Sequence, residues 1–286
     1  MRIGLVGTGH WARATHAPAI ARHQVHELVG VWGRSEHRRN EFASEFGIQT
    51  FGSFDQMATA VDAIAFATDP DQQTDLAPRA VEAGRHLILD KPAALTSQEV
   101  RQLEERSVQR GLTTKVFHTA RYRPEIELWI EKTARGAWQS GEGRWLGTAL
   151  SDSSGPYFES AWRKERGPLW DLGPHAMSIL LPIFGPVTSI PEVGWEAKTL
   201  KAQLHFESAE VRVQLSLAAP QEVSGIDLTI SGPDGRTVMP AISTTHQEAY
   251  GLLLDRFTDD GDTSDLRLGS EVVSALELVE SAMDRE

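Results

Sequence analysis

Residues 2–6, RIGLV, run directly into GTGHWA at 7–12. No other stretch narrows the possible folds as much. The apolar run reads as a short strand. Gly7 and Gly9 end it, and WARATHAPAIARH after them carries helix formers, with Pro18 predicting a bend or restart because proline suits a helix's first turn and not its interior. A glycine pattern of this kind is weak evidence by itself. It gains meaning only from the elements around it.

The next hundred residues alternate regularly. Strand candidates lie at 27–32, 48–51, 61–67, 86–90 and 112–118. Helical stretches separate most of them. SEHRRNEFASEF has Ser35 as N-cap and Gly47 just past its end, DQQTDLAPRAVEA ends at Gly84, and TSQEVRQLEERSVQR opens with Thr96 and Glu99 at capping-box spacing. Strands alternating with helices of this length predict βαβ units, a parallel doubly wound sheet and right-handed crossovers. Ligands of such sheets bind beyond the carboxyl ends of the strands. Gly7–Ala12, Arg34, Thr68–Gln73 and Asp90–Pro92 all fall at those ends.

The second half changes character. After a helix at 124–135, strand-like text appears at 144–152, 198–207, 210–218, 226–231 and 236–240, with a hairpin signal at GPDG, 232–235. One apolar helix at 169–184 interrupts it. The tail from Thr245 is helical again, broken by the acidic loop TDDGDTSD at 258–265. The fold class expected is α/β: an N-terminal Rossmann domain over 1–118, then an α+β domain over 119–286 with an open, mainly antiparallel sheet. The boundary carries no low-complexity linker.

With 28 basic and 40 acidic residues the formal charge is −12, which argues against nucleic acid or an anionic membrane surface as a main partner. The chain has no cysteine, so disulfides, thiolate metal sites and thiol nucleophiles are excluded; no metal site is expected. The apolar start is too short for a signal segment, no run approaches a membrane span, and a cytoplasmic protein is expected.

In the βαβ context, GTGHWA reads as a dinucleotide turn. Gly7 allows the tight turn, Gly9 the approach of a pyrophosphate and Ala12 close helix packing, with Thr8, His10 and Trp11 along the same loop. At the end of the second strand an acidic residue would suit the ribose of NAD. VWGRS instead offers Arg34 and Ser35, which suit a 2′-phosphate, so NADP is preferred over NAD. Thr68, Asp69, Pro70 and Gln73 line the fourth strand's end; Asp90, Lys91 and Pro92 line the fifth's. Lys91 there has the chemistry to orient a substrate and assist proton transfer, or else it is a surface lysine beside a loop proline. In WDLGPHAMS, Asp171 and His175 stand four apart and share a helix face. The alternatives are an oriented acid/base pair or a helix-capping aspartate with a half-buried histidine. Trp162 is a candidate wall for a sugar ring, while Trp145 reads as core. Arg121, Arg163 and His246 are candidate polar contacts to substrate.

Together these pieces resemble the Gfo/Idh/MocA oxidoreductases, over nearly the whole chain. AFATDPDQQ is similar to the family's AT-P-xxx-H segment with Gln73 at the histidine. LILDKPAALT resembles its EKP motif with Asp90 for glutamate, and HTARYRP its Asn-x-Arg-Phe-x-Pro stretch with Thr119 for asparagine. WRKERGPLWDLGPH resembles its WR…GGxLxDxGxH motif, and Ser178 stands where a carboxylate is usual. The resemblance implies that Lys91 and His175 face each other across the nicotinamide. Asp171 would then hold His175 as acid/base while Lys91 polarises the substrate oxygen. It implies hydride transfer between NAD(P) and a carbinol or carbonyl carbon of a sugar, cyclitol or similar polyol. A non-catalytic NAD(P)-binding sensor on the same fold is the alternative, and reduction of an imine or tetrapyrrole a lesser one. A broad apolar face of the second sheet is expected to pair subunits into a homodimer or tetramer.

Overall fold

The computed structural model describes residues 1–257 and 264–285; of the acidic loop, 258–263 lie outside the described residues. The chain divides into two compact units, Met1–Tyr122 with Thr244–Ser270, and Arg123–Ser243 with Glu271–Glu286.

The first unit begins with β1 (Arg2–Val6), a π-helical turn Ala12–His16, α1 (Ala17–Arg22), β2 (Glu27–Trp32), α2 (Glu36–Phe46) and β3 (Gln49–Thr50). It continues with α3 (Phe54–Ala60), β4 (Ala63–Phe66), α4 (Pro70–Glu82), β5 (His86–Leu89), α5 (Ser97–Gln109) and β6 (Thr114–Val116). The six strands form one parallel sheet in the order β3-β2-β1-β4-β5-β6. β1 is therefore the switch strand, with the chain winding to one side through β2 and β3 and then crossing to β4. Strands buried on both faces read as continuous apolar runs, which is why AIAF of β4 is legible.

Local sequence rules explain most boundaries. Ser35 caps α2 and Gly47 ends it at φ +65°; Thr96 and Glu99 form the capping box of α5. Pro18 stands in the first turn of α1, the restart expected of it, after a π-helical turn in which Ala17 N–H reaches back five residues to the Ala12 carbonyl. Proline offers no N–H to the Ala14 carbonyl, and Gln247 Nε2 donates to it at 2.8 Å. α3 departs from the expected elements; Ser53 caps it over a segment too short for a periodic signal.

The sequence division at 118/119 lies close to the observed limit at Tyr122, but the chain later returns. The helix His246–Phe257 buries Ala249, Tyr250, Leu253, Leu254 and Phe257 in the same core as Ile3, Leu5, Ile20 and Val31. Beyond it, Asp265 N–H donates to the Thr114 carbonyl at 3.0 Å. The Asp265 carboxylate accepts from Val116 N–H at 3.3 Å and from the Tyr122 hydroxyl, and lies 3.7 Å from Nζ of Lys115, which is 1% exposed. The tail thus covers the edge strand of the sheet and neutralises a buried ammonium.

The second unit holds α6 (Pro124–Thr133), β7 (Ser140–Leu146), α7 (Ala161–Phe184), β8 (Ser189–Glu196), β9 (Thr199–His205), β10 (Glu210–Ser216), β11 (Gly225–Gly232) and β12 (Gly235–Val238). The later helices are α8 (His246–Phe257) and α9 (Leu266–Met283). The second sheet runs β12-β11-β7-β10-β9-β8; only the β7–β10 pair is parallel. Pro233 and Asp234 form the predicted hairpin turn between β11 and β12.

Two strands differ from expectation. β7 starts at Ser140 and leaves the ladder after Leu146. Its glycines depress the strand signal, yet a Cβ on Gly143 would come within 2.5 Å of the Trp145 ring, so the glycine makes room for the tryptophan. Pro191 hides β8, and is tolerated because β8 is an edge strand and its register shifts between Ser189 and Glu192.

The outer face of this sheet also requires a correction. It is not apolar. Val211, Val213, Leu215, Leu228 and Ile230 point inward to the α7 side. The outer face carries Glu142, Arg144, Arg212 and Asp227 around a concavity of about 810 Å³, with Arg144 bonded to Asp227 at 2.9 Å and Arg212 3.5 Å from Glu142. Alternation along the strands puts every second residue outside, and on β7, β9 and β10 those residues are polar.

Candidate active site

In the first unit four loops meet at the carboxyl ends of neighbouring strands. Gly7 follows β1 at φ +118°, and its N–H donates to the Trp32 carbonyl at 2.9 Å. A Cβ there would lie 2.1 Å from the Ala67 carbonyl oxygen, so only glycine lets the ends of β1 and β4 close together. Gly9 is the opposite case. It is exposed, with nothing within 4 Å of where a Cβ would stand. The loop is pinned at Gly7 and open above Gly9, and the next helix starts beside that opening. An anion approaching there meets the positive end of the helix dipole. Thr8 is half-buried beside Gly33, His10 is exposed, Trp11 is half-buried against Phe117 and His246, and Ala12 is buried.

After β2, Arg34 stands largely in solvent with Nη2 3.8 Å from Asp69 Oδ2 of the loop after β4. The Ser35 hydroxyl accepts from Arg38 N–H, and Arg39 Nη1 donates to the Gly33 carbonyl at 2.6 Å. After β4, Thr68 bonds Gln72, Asp69 precedes α4, and Pro70 opens it.

Gln73 has a different place from the one expected. It is 1% exposed, and its amide is spent on the turn after β5. Nε2 donates to the carbonyls of Asp90, Pro92 and Ala93 at 2.9, 3.0 and 3.1 Å, and Oε1 accepts from Asp90 N–H at 2.8 Å. One side chain therefore clamps the backbone that presents Lys91. Lys91 itself is half-buried, Pro92 is buried, and Lys91 N–H donates to Asp90 Oδ1 at 2.7 Å.

Sequence reasoning misses three residues around this turn. His16, His118 and Tyr250 are buried, and the polar atoms of all three side chains lack hydrogen-bond partners. His16 Nε2 lies 3.6 Å from Asp90 Oδ2. Burial, reinforced by Arg121 and Lys91, holds the His118 imidazole down to about 3. Burial, then the Asp90 charge, pushes the Tyr250 hydroxyl well above its ordinary range. The sequence signals are the His16 segment beside the glycine loop and the HTARYRP stretch that begins at His118; nothing local marks Tyr250. Arg121 belongs to this unit as well, half-buried with Nη1 unpartnered. Exposed His246 lies over the edge of Trp11, their ring centroids 5.1 Å apart.

His118 makes stability pH-dependent. Because its folded value lies below the unfolded one, the unfolded chain binds a proton that the folded chain refuses. Stability is fully present above about pH 6.5 and is lost as pH falls toward 3, with a slope of about 1.4 kcal/mol per pH unit. Denaturant melts across that range should show the slope flattened by this amount in His118→Phe; an unchanged slope would contradict the assignment.

In the second unit, Trp162, Arg163, Asp171, His175 and Ser178 all lie on α7. Gly167, at φ +68° and ψ −167°, breaks the helical geometry, and Pro168 restarts it. Along a straight helix residues eight apart would be about 12 Å apart. The break lets Arg163 Nε donate to Asp171 Oδ2 at 2.7 Å, with the guanidinium also 4.2 Å over the Tyr157 ring. Asp171 is 8% exposed and His175 half-buried on the same face, one turn on. Ser178 is fully buried and donates to the His175 carbonyl at 3.0 Å. Trp162 is half-buried with its indole N–H unpartnered, Trp145 is core, and Trp170 donates to Glu280 at 2.8 Å. Gly173 is a packing residue: a Cβ would come within 2.6 Å of Leu276. Among the described residues no group of histidines and carboxylates is placed to hold a metal, and no helix is long and apolar enough to cross a membrane.

Comparisons with known proteins agree with this architecture. Residues 1–118 match the oxidoreductase family described by its NAD-binding Rossmann fold. The uncharacterized oxidoreductase YdgJ of Escherichia coli is 28% identical over 189 residues, 65% of this chain and 54% of that protein. UDP-N-acetylglucosamine 3-dehydrogenase of Acidithiobacillus ferrooxidans is 32% identical over 127 residues, 44% of this chain and 40% of that protein. This chain thus spans about half the length of the curated relatives it matches. The solved structure of the Acidithiobacillus enzyme superposes with a TM-score of 0.80 at 20% identity, covering 99% of this chain and 97% of that one. GenD2 from gentamicin A biosynthesis, solved with NAD, gives 0.79 at 20% identity, covering 100% and 95%. The structural likenesses establish the fold. Residues 1–118, with their glycine turn at the switch strand of a parallel sheet, match the NAD-binding Rossmann domain of the Gfo/Idh/MocA oxidoreductase family.

Proposed function

We propose that the chain is an NAD(P)-dependent dehydrogenase or reductase acting on a CH–OH group of a sugar, cyclitol or related polyol. The observation that carries this is the first unit's arrangement: a glycine turn open to an anion on β1, and a lysine held by a dedicated clamp after β5. The residues fit a dinucleotide. Space above Gly9 admits a pyrophosphate against N–H groups of the helix start. When bound, the nicotinamide supplies hydride acceptance and donation.

The chain's own groups would do the rest. Lys91 polarises the substrate oxygen. His175 takes or gives the hydroxyl proton, with Asp171 holding its orientation. Arg163 fixes Asp171, so it acts on that pair from behind. Arg121 and Trp162 remain candidate substrate contacts because each carries a buried N–H without a partner. A sugar-like substrate accords with the name of the Acidithiobacillus relative. The assay that tests the reading is cofactor reduction with a panel of nucleotide-linked and free sugars and cyclitols. Absence of turnover together with tight cofactor binding would instead support a non-catalytic sensor, the reading favoured by Ser178, which is buried and uncharged where the family's motif usually has a carboxylate.

We assign a preference for NADP to Arg34, with Arg38 one helical turn on, at the end of β2. Arg34→Asp is expected to reverse the preference, weakening NADPH by about tenfold or more and leaving NADH binding nearly unchanged. Fluorescence titration with both nucleotides checks it; an equal loss for both would remove the assignment. A homodimer or tetramer through the second sheet would be held by charge pairing across its polar face, and would weaken with salt.

A further inference from the structure

The turn that carries Lys91 is held from two sides. Gln73 grips its backbone. On the other side stands a group of buried polar side chains that the proposed chemistry leaves without a role. Asp90 is the centre of that group. Its Oδ1 accepts from Lys91 N–H at 2.7 Å, its Oδ2 faces His16 Nε2 at 3.6 Å, and its side chain is 13% exposed. His16 comes from the helix after the glycine turn. Its ring centroid lies 4.3 Å from that of Tyr250, which α8 brings from the far end of the chain. Phe117 packs on Tyr250 at 4.9 Å.

Simple packing would not select these residues. A buried hydroxyl or ring N–H without a partner is costly, and phenylalanine or leucine would fill the same space without that cost. Here a hydroxyl and two ring nitrogens are kept at complete burial, the imidazole beside the Asp90 carboxylate and the phenol ring against the imidazole. Burial, and then the Asp90 charge, oppose loss of the Tyr250 proton. The carboxylate bears on the turn directly, because its other oxygen holds the amide of Lys91.

We infer that His16 Nε2–H holds the Asp90 carboxylate, that the buried Tyr250 hydroxyl steadies His16 in that place, and that the three together are positioning residues for Lys91. α8 thereby becomes part of the active centre although it lies more than a hundred residues from the lysine in sequence. The inference rests on Lys91 taking part in the proposed reaction, but its first test does not.

That test uses the protein with ¹⁵N-labelled histidine and no ligand. His16 should show a slowly exchanging Nε2–H, identified by its disappearance in His16→Gln, and the signal should be lost or strongly shifted in Asp90→Asn. A His16 protonated only on Nδ1, or a signal indifferent to Asp90→Asn, overturns the network whatever the enzyme's activity proves to be. The second test is kinetic. Tyr250→Phe removes one oxygen atom. If Tyr250 merely packs, the variant should be as stable or more stable and equally active. The positioning role predicts a kcat about tenfold lower, an unchanged KM for the dinucleotide and an unimpaired melting temperature. His16→Gln, which keeps a donor, should retain more of the rate than His16→Leu. Full activity in Tyr250→Phe would overturn the positioning role even with the histidine signal in place. Absence of turnover in the unaltered protein would count against the proposed reaction and leave the histidine result to decide the network.

Discussion

Gly7→Ala is expected to damage both the fold and the cofactor site. The added methyl would stand 2.1 Å from the Ala67 carbonyl oxygen, at a backbone φ of +118° that side chains rarely adopt. Neither obstacle is the far end of a flexible side chain, so the ends of β1 and β4 must separate. The expected loss is roughly 3 kcal/mol or more, and dinucleotide affinity should fall by about two orders of magnitude as the loop moves. Gly9→Ala is the informative contrast. Nothing stands within 4 Å of its added carbon, so stability should be unchanged, while the methyl occupies the approach of a phosphate and weakens binding. Melting temperatures and a dinucleotide titration on both variants separate the two roles. Loss of stability in Gly9→Ala, or none in Gly7→Ala, would contradict the account.

Lys91→Met should lower kcat by roughly two to four orders of magnitude on any substrate the chain turns over, because it removes the ammonium while keeping most of the side chain's volume. The turn itself should survive. Gln73 Nε2 donates to the carbonyls of Asp90, Pro92 and Ala93, Asp90 N–H donates to Gln73 Oε1 and the residue-91 N–H to Asp90 Oδ1, and the substitution leaves all of these backbone bonds in place. Dinucleotide affinity should therefore change little. Rates of cofactor reduction in variant and parent, with binding measured in parallel, decide it. Undiminished kcat would remove Lys91 from the chemistry. Equal loss of binding and rate would make it a cofactor ligand instead.

Much of this arrangement is readable from neighbouring residues. The glycine turn, the capping box at Thr96 and Glu99, the αL cap at Gly47 and the hairpin at Pro233–Asp234 depend on interactions within a few residues, and such interactions leave local patterns. The parallel sheet is legible because buried strands require unbroken apolar runs. Pro18 restarts the helix as its local rule predicts, and Gln247 serves the carbonyl it leaves open. Elsewhere, where a local rule meets a tertiary partner, the partner prevails. Gly143 belongs to a strand because Trp145 needs the room, and Pro191 is accepted at an edge. The apolar sheet face expected for subunit pairing is polar, since alternation turns its apolar residues inward.

The sequence by itself determined the order of elements, the strand ends where ligands gather, and the residue types that gather there. Those arise from periodicity and turn chemistry, which act over a few positions along the chain. Only the tertiary structure decided that Gln73 grips the lysine turn, that Arg163 folds back onto Asp171 across the break at Gly167, and that Tyr250 returns from the chain's far end to stand beside His16. These contacts join residues that the chain separates by a helix or more. Which of many polar side chains meets a given carboxylate is settled by how helices pack on a sheet, and that packing is a property of the whole core rather than of any window of sequence.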